Sequence, residues 1–506
     1  MKALLEPIKE IARFDELFRD LKKGTAGVTV ISGCLESQKA HMIAGLSEDA
    51  PVRLLIAENE LKAKELYEDY RLYDAETLYY PAKDLIFYQA DIHGNLLIRQ
   101  RLQVIQALLE RKEVTIITSV GGCMDFLLPL GVFEKHCIHL RNDSEFDLDK
   151  IRKELVRLGY ESTFQVESTG QFSVRGGILD IYPLTEQNPI RIELWGDEID
   201  SIRSFDAESQ RSIENLEEII IYPASELILT ENTIARGVKA IKKEAKAQST
   251  KFRDKMMTEE AARIRHAAEE ICDQIGEGEI LQGAEQYLHY FYPETVSFLE
   301  YLPENSRIFL DEPNRIIECA DALEAEFQES VSHRLEKGYL LPGQAKLMCS
   351  TAELVAKLNR RGCVAVSLME PQKGEWNIRD EFSVTVKSVN SYNNQFPLLV
   401  KDLKSWKKAG YRIVLASPSR TRAQHLAEDL QNEEIPAFYS ENEERVLKPG
   451  EVMLIHGAAR RGFEYPMQKF VLITETDIFG KEKKKNRKKS EYSGQKIQKF
   501  CGSFDR

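Results

Sequence analysis

The segment GCLESQKA, residues 33–40, has the outline of a phosphate-binding loop, in which G-x-x-x-x-G-K-[ST] joins a strand to a helix. In such a loop, backbone N–H groups surround a phosphate, the lysine reaches the terminal phosphates and the hydroxyl holds magnesium. Gly33 and Lys39 occupy the positions of the first glycine and the lysine. Their spacing indicates nucleotide chemistry, if the remaining positions allow it.

Two positions depart from that pattern. Gln38 stands where the second glycine belongs, and Ala40 stands where the magnesium-binding hydroxyl belongs. Gln38 brings a Cβ to a place where the loop must pass close to phosphate, in a conformation that glycine tolerates better. Ala40 offers the metal no oxygen. The two substitutions favour a relic over a working ATP site, although an ordinary strand-to-helix turn would explain the loop alone equally well.

A second candidate for phosphate chemistry lies in SRIFLDEP, where an apolar run ends in Asp311 and Glu312. A strand that ends in acidic residues is the form of the element that orients magnesium and water in phosphoryl transfer. A strand end followed by a capping acid gives the same letters. Together with the loop at Gly33 and Lys39, however, the pair predicts one ATPase-type fold.

The segment RIELW predicts a binding surface. Strand alternation places Arg191, Glu193 and Trp195 on one face and the two aliphatic residues between them on the other, which should face the core. Arginine and tryptophan are enriched among interface hot spots. Arg175, beside a turn in FSVRGG, could join this surface from a neighbouring strand. Simple packing of an arginine on an aromatic ring is the alternative interpretation.

Helices and strands must position these residues, and the hydrophobic periodicity of the sequence predicts where those helices and strands lie. From about residue 25 to 125, apolar strands alternate with helices, which is typical of a parallel sheet. From about 140, a helix and several strands predict a small inserted α+β domain, and a second α/β unit follows from 351. The fold class is therefore α/β: a P-loop NTPase or helicase-like parallel sheet, split by the insertion and followed by a second α/β domain. Within that last domain, SPSRTRAQHLAEDL is similar to segments that helicase-like domains place near DNA or nucleotide, as well as to ordinary α/β turns.

Composition narrows the class of protein. The chain has 506 residues, is 42% hydrophobic and 30% charged, and carries a net charge of −13, which argues against nucleic-acid binding over its whole surface. No apolar run approaches the ~20 residues of a membrane span, and the charged start predicts no signal peptide. A cytoplasmic location follows. The eight cysteines form no C-x-x-C pair, so we expect no zinc site and no disulfide framework.

A basic run, GKEKKKNRKKSE, follows the last predicted domain and has seven Lys or Arg residues between 481 and 489. Like charges at this density repel one another and lack an apolar anchor, so the run predicts a solvated linker. A nonspecific contact with nucleic acid is the alternative.

The segment GQFSVRGGILDIYPLTEQNPIRIELWGDEIDSIRSFDAESQRSI closely resembles the second domain of the bacterial transcription-repair coupling factors (Mfd), and more distantly that of the excision-repair protein UvrB. YYPAKDLIFYQADIHGN, IFLDEP and RRGFEYPMQKFVLITETDIFG resemble the same family in collinear order, so the likeness covers nearly the whole chain.

This resemblance implies a module with UvrB architecture that has lost ATPase function, and an inserted domain that recruits the damage sensor UvrA. It assigns the UvrA contact to Arg175, Arg191 and Trp195, the last at a position where some members carry phenylalanine. Gly33, Gln38, Lys39, Ala40, Asp311 and Glu312 are then a degenerate nucleotide site that needs no cofactor or metal. The alternative is an active UvrB-like ATPase or helicase.

The resemblance also implies a domain division. It predicts a discontinuous UvrB-like domain at 1–125 and 223–350, an inserted UvrA-binding domain at 126–222, a small α/β domain at 351–476 and a basic linker at 477–506. The family's RNA-polymerase-binding domain and its ATP-driven translocase motor would follow that linker. Segment FYQADIHGNLL leads into a helix without the DNA-gripping hairpin of UvrB, so we expect DNA contact to be weak or indirect.

Overall fold

The computed structural model describes residues 2–83, 96–276, 284–371 and 374–480. In chain order the strands are β1 (Gly27–Ser32), β2 (Val52–Ala57), β3 (Leu78–Tyr80), β4 (Val114–Ser119), β5 (Phe126–Leu127), β6 (Ile138–Arg141), β7 (Glu161–Ser162), β8 (Gln171–Arg175), β9 (Ile178–Ile181), β10 (Ile190–Trp195), β11 (Glu198–Phe205), β12 (Ser212–Leu216), β13 (Glu218–Ile221), β14 (Val296–Ser297), β15 (Arg307–Asp311), β16 (Gly362–Val366), β17 (Ile378–Ser383), β18 (Lys387–Ser388), β19 (Arg412–Ser417), β20 (Ala437–Tyr439), β21 (Val452–His456), β22 (Phe463–Tyr465) and β23 (Phe470–Thr474).

The α-helices are α1 (Lys2–Leu5), α2 (Phe14–Lys22), α3 (Glu36–Gly45), α4 (Glu60–Tyr70), α5 (Leu96–Leu109), α6 (Val120–Met124), α7 (Leu130–Lys135), α8 (Leu148–Arg157), α9 (Glu231–Asp254), α10 (Thr258–Gly276), α11 (Leu288–Phe291), α12 (Pro313–Glu336), α13 (Thr351–Arg360), α14 (Phe396–Lys408), α15 (Arg420–Asn432) and α16 (Glu475–Phe479). Short 3₁₀ helices lie at Glu6–Glu10, Ala284–Tyr287, Phe298–Tyr301 and Pro342–Ala345.

The largest sheet has seven strands in the order β17-β1-β16-β15-β2-β4-β3, and every pairing in it is parallel. Its strands come from both sides of a long intervening segment, since β1 to β4 precede that segment and β15 to β17 follow it. Strands β1, β4 and β15 are buried along their whole length, as expected of strands covered on both faces. The predicted α/β fold class with a large parallel sheet is confirmed.

Alternate side chains of the strands in this sheet pack into two different apolar cores, one on each face. In β2, Leu54 and Ile56 belong to one apolar cluster, whereas Leu55 and Ala57 belong to another on the opposite face. Successive strand residues point to opposite faces, so one apolar run fills both cores. The sheet is thereby held between two helix layers, which fixes the strand ends that carry the candidate chemistry.

The second sheet lies between β4 and β15 in the chain and has the order β12-β11-β10-β9-β8-β7. It is antiparallel except for the pairing of β7 with β8. Strand β6 pairs with β13, so the beginning and the end of this inserted segment lie side by side. Strand β5, which the prediction placed inside the insertion, pairs instead with β14 outside it.

The third sheet has the order β18-β22-β23-β19-β21-β20 and is parallel at its centre. The prediction that CVAVSLM and FSVTVKSV belong to a second unit beginning at residue 351 is wrong for β16 and β17, whereas β18, at the end of FSVTVKSV, does lie in the third sheet. Strands β16 and β17 both pair with β1 in the first sheet, and β16 lies between β1 and β15. Periodicity identifies a strand, but its partner is set by long-range packing.

The charged segment after the insertion forms two long helices, α9 and α10, separated by a turn in which Met256 takes a φ of +59°. Among the described helices, none combines the length and the apolar character needed to cross a membrane. The seven cysteines of the described residues are all outside disulfides. The basic run at 481–489 and the predicted path of FYQADIHGN fall outside the described residues.

Candidate functional site

The loop between β1 and α3 is held tightly by its neighbours. Gly33 has a φ of +82°, and a Cβ at this position would lie 2.2 Å from the carbonyl oxygen of Val384, so only glycine fits. The Gly33 N–H donates to the Leu368 carbonyl at 3.1 Å, and the Cys34 N–H donates to the Ser367 carbonyl at 3.0 Å. Two backbone donors at the beginning of the phosphate-type loop are therefore already bonded within the protein.

Lys39 is buried, and its ammonium bonds to carboxylates. Its Nζ donates to Asp311 Oδ1 at 2.6 Å, to Glu36 Oε1 at 2.7 Å and to Glu312 Oε1 at 2.8 Å. The structure thus brings together the two elements that the sequence singled out, since Asp311 ends β15 and Lys39 lies in the first turns of α3. The lysine that would reach a phosphate in a working loop is neutralised by acidic side chains.

The charges of this cluster depend on one another. Burial alone would lower the pKa of Lys39, but Asp311 and Glu36 together raise it above its ordinary value. Burial raises the pKa of Asp311 to about 6, although Lys39 opposes that change. The ligand atoms of Glu36, Asp311 and Glu312 lie within 4.8 Å of one another, close enough for a shared cation. The chain supplies a positive charge of its own, the ammonium group.

The two positions that depart from the loop pattern serve packing. Gln38 is fully buried, and its Nε2 donates to the hydroxyl of Tyr465 in the third sheet at 2.5 Å. Ala40 is buried in the core on the α3 side of the first sheet. His41 Nε2 lies 2.7 Å from the Leu4 carbonyl oxygen, and burial lowers the His41 pKa to about 4, so the ring is neutral at pH 7. Helix α3 therefore docks the third sheet onto the first.

The second candidate site is the polar face of the inserted sheet. Trp195 lies at the end of β10 with 83% of its surface exposed. Arg191, on the same strand, has a side chain only 16% exposed, because its guanidinium bonds to Asp180 and packs 4.4 Å from the centre of the Phe205 ring. The prediction that Arg191 and Trp195 point outward together is therefore wrong for the arginine. The pairing of β10 with β11 shifts register after Glu193.

Arg175 ends β8 and lies nearer the solvent, with 38% of its side chain exposed. Its Nη2 donates to Asp180 Oδ2 at 2.7 Å. Asp180 thus joins two of the three residues that the resemblance selected. Sequence reasoning missed Asp180, although strand alternation in LDIYP places it on the same polar face as the arginines, across from Arg191 on the neighbouring strand.

The chain is similar to known proteins over nearly its whole length. Residues 138–227 match the family model described as the UvrB interaction domain. The chain is 31% identical, over 96% of its length, to the transcription-repair-coupling factor of Bacillus subtilis (strain 168) and covers 42% of that protein. It is 30% identical, over 97% of its length, to the transcription-repair-coupling factor of Staphylococcus aureus (strain USA300) and covers 41% of it. The chain matches the N-terminal part of the transcription-repair coupling factors.

The predicted family resemblance is confirmed by these matches, and the chain spans about two fifths of the length of the curated relatives. Within it, the segment matched by the UvrB interaction domain contains the whole inserted sheet from β7 to β12. The polar face of that sheet, defined here by Arg175, Asp180, Arg191 and Trp195, is called the arginine face below.

Proposed function

We propose that this chain is the N-terminal module of a transcription-repair coupling factor and recruits UvrA in transcription-coupled nucleotide excision repair. One observation carries the proposal: the matched segment 138–227 contains both the exposed Trp195 and the two arginines that pair with Asp180. Exposed aromatic and arginine side chains are the residue types that dominate interface energies. Binding to RNA polymerase and ATP-driven movement on DNA are proposed for other parts of the full-length protein, and DNA contact by this chain is weak or indirect.

Trp195→Ala should weaken binding of the 506-residue chain to UvrA by about 2 kcal/mol, roughly thirtyfold in Kd. The thermal unfolding midpoint should not change, because Trp195 is 83% exposed and contributes little to the core. Calorimetric titration with UvrA measures the first quantity and thermal denaturation the second. Arg191→Ala is a less clean test, because it removes one of the two partners of the buried Asp180 carboxylate.

Phe164→Ala is a matched control, since Phe164 lies in the same inserted unit and is 84% exposed. We expect its affinity for UvrA to equal that of the wild-type chain. An unchanged affinity in Trp195→Ala would remove this residue from the binding site. An equal loss in both variants would show that exposed aromatic surface, and not the arginine face, is responsible.

We also propose that the chain is not an ATPase. Three features support this: Lys39 is neutralised by three carboxylates, the backbone N–H groups of Gly33 and Cys34 are bonded to the 367–368 segment, and the Gln38 side chain is committed to Tyr465. A triphosphate would have to displace the carboxylates from the lysine in a buried place, where that exchange costs most. The active UvrB-like ATPase is the competing function.

Calorimetric titration of the chain with ATP and magnesium should therefore give no measurable heat of specific binding up to about 1 mM nucleotide. A Kd of about 1 mM corresponds to a binding free energy of about −4 kcal/mol, so any binding would be weaker than that. Nucleotide binding in this loop would require backbone N–H groups that are free to bond phosphate and a Lys39 ammonium released from its three carboxylates. The contradicting result is specific: micromolar affinity that disappears in Lys39→Ala would establish a working nucleotide site. The Trp195→Ala chain is the control, because that residue lies in a different sheet and should leave the titration unchanged.

A further inference from the structure

Asp180 is the buried acid beneath the arginine face. It lies on β9, the strand between β8 and β10, and is 1% exposed. Strand register places it directly opposite Arg191 on β10 and opposite Ser173 on β8. One carboxylate at the middle strand can therefore reach cations from both neighbouring strands.

The contacts use both oxygens of this carboxylate. Arg191 donates from Nε to Asp180 Oδ1 at 2.6 Å and from Nη2 to Oδ2 at 2.8 Å, a two-point pairing that fixes the plane of the guanidinium. Arg175 donates from Nη2 to the same Oδ2 at 2.7 Å. Arg191 is fixed further by Gln210, whose Oε1 accepts from its Nη2 at 3.0 Å. Two flexible cationic side chains thereby take defined positions through one acid.

We infer that Asp180 is a positioning residue that orders Arg175 and Arg191 for an acidic protein surface. The inference rests on the proposed UvrA-binding function. Two arginines against one aspartate leave one positive charge in excess, which favours a partner that offers carboxylates. Because Asp180 is buried below the guanidinium groups, it does not occupy the outer side that a partner would approach. An interface whose side chains are already ordered loses less conformational entropy on binding.

Asp180→Asn tests this, because asparagine keeps the shape but replaces the anion with a group that also carries N–H donors. We expect UvrA affinity of the full chain to fall about tenfold, from the freed motion of two side chains and the changed direction of Arg191. Asp69→Asn is the matched control. It weakens another buried pair, between Asp69 and Arg460 at 2.8 Å outside the inserted sheet, and should change UvrA affinity less than twofold.

A double-mutant cycle separates positioning from a general loss of folding. Arg191→Met combined with Asp180→Asn removes both charges of this pair, so the variant does not leave the largely buried Arg191 cation without its carboxylate and stays folded even if Asp180→Asn alone does not. The affinity loss of the double variant should be clearly smaller than the product of the single losses, or, if Asp180→Asn does not fold, no greater than that of Arg191→Met alone. Fully multiplicative losses would overturn the inference, as would wild-type affinity in Asp180→Asn. A wild-type chain that does not bind UvrA would instead overturn the proposed function itself.

Discussion

Lys39→Met should lower the free energy of unfolding by about 3–5 kcal/mol, the usual cost of removing one partner from a buried ionic group. Asp311, the most buried of the three acids, would lose the ammonium that lies 2.6 Å from its carboxylate. Methionine fills similar volume, so the loss would measure charge and not a cavity. Urea denaturation monitored by circular dichroism gives the quantity directly.

The loss of unfolding free energy in Lys39→Met should depend on pH, and the direction of this dependence follows from the pKa of Asp311. Burial raises its folded pKa to about 6, above the unfolded value of about 3.9, and Lys39 opposes that rise. Without Lys39 the folded pKa rises further, so the folded protein takes up a proton that the unfolded chain does not hold. The difference between variant and wild type should therefore be smaller at about pH 5 than at about pH 8.

Lys62→Met is the matched control for this experiment. Lys62 also bonds to Glu36, at 3.2 Å, but its side chain is 32% exposed and solvent screens the pair. We expect a loss below about 1 kcal/mol with little dependence on pH. A loss for Lys39→Met no larger than that of the control would mean that the ammonium does not stabilise the acidic cluster.

The Lys39 cluster also shows how far sequence reasoning extends. The loop spacing and the apolar strand ending in acids predicted one ATPase-type fold, and in the structure Lys39 and Asp311 meet because parallel strands bring their carboxyl ends to one edge of the sheet. Strand alternation likewise predicted that Ile192 is buried and that Trp195 is exposed. Such inferences need only local periodicity and a general rule of topology.

Other features depend on partners that are distant in the chain. No local sequence pattern indicates the buried hydrogen bond from Gln38 to Tyr465. From sequence, glutamine in place of the second loop glycine therefore indicates only a lost phosphate-binding function, whereas in the structure it also joins α3 to the third sheet. Strands β16 and β17 carry normal strand patterns, but nothing in those patterns tells which sheet they enter. Alternation places Arg191 on the polar face, but only the tertiary position of Asp180 explains why its side chain is just 16% exposed. Sequence predicts the elements better than their pairing.

Arg101→Met should also cost about 3–5 kcal/mol of unfolding free energy, because this arginine is fully buried at the junction of the inserted unit. Its Nε donates to Glu226 Oε1 at 2.8 Å, and its Nη1 donates to Asp125 Oδ2 at 3.1 Å and to the Pro81 carbonyl at 2.7 Å. The guanidinium also lies 4.1 Å from the centre of the Tyr80 ring. One side chain thus bonds the two crossings between the first sheet and the insertion.

The two acids should respond differently to this loss. Glu226 keeps an ion pair with Lys83 at 2.6 Å, whereas burial already raises the pKa of Asp125 to about 6 against the opposing charge of Arg101. Asp125 would therefore take up a proton in the variant. Its chain segment lies directly before β5, and we expect amide exchange to accelerate around 120–130 and 222–230 more than in the third sheet.

Arg99→Met is the matched control for this prediction, two residues away on α5. Arg99 is half-buried, and its Nη2 contacts the Glu186 carbonyl at 3.5 Å, the limit of a hydrogen bond. We expect a loss of less than about 1 kcal/mol and unchanged exchange at both crossings. If Arg101→Met behaved like this control, the buried cation would be dispensable, and the apolar contacts around β5 and β14 would have to hold the inserted unit in place. Because an unpaired buried carboxylate is costly while a lost surface contact is not, the two variants should separate clearly in one denaturation series.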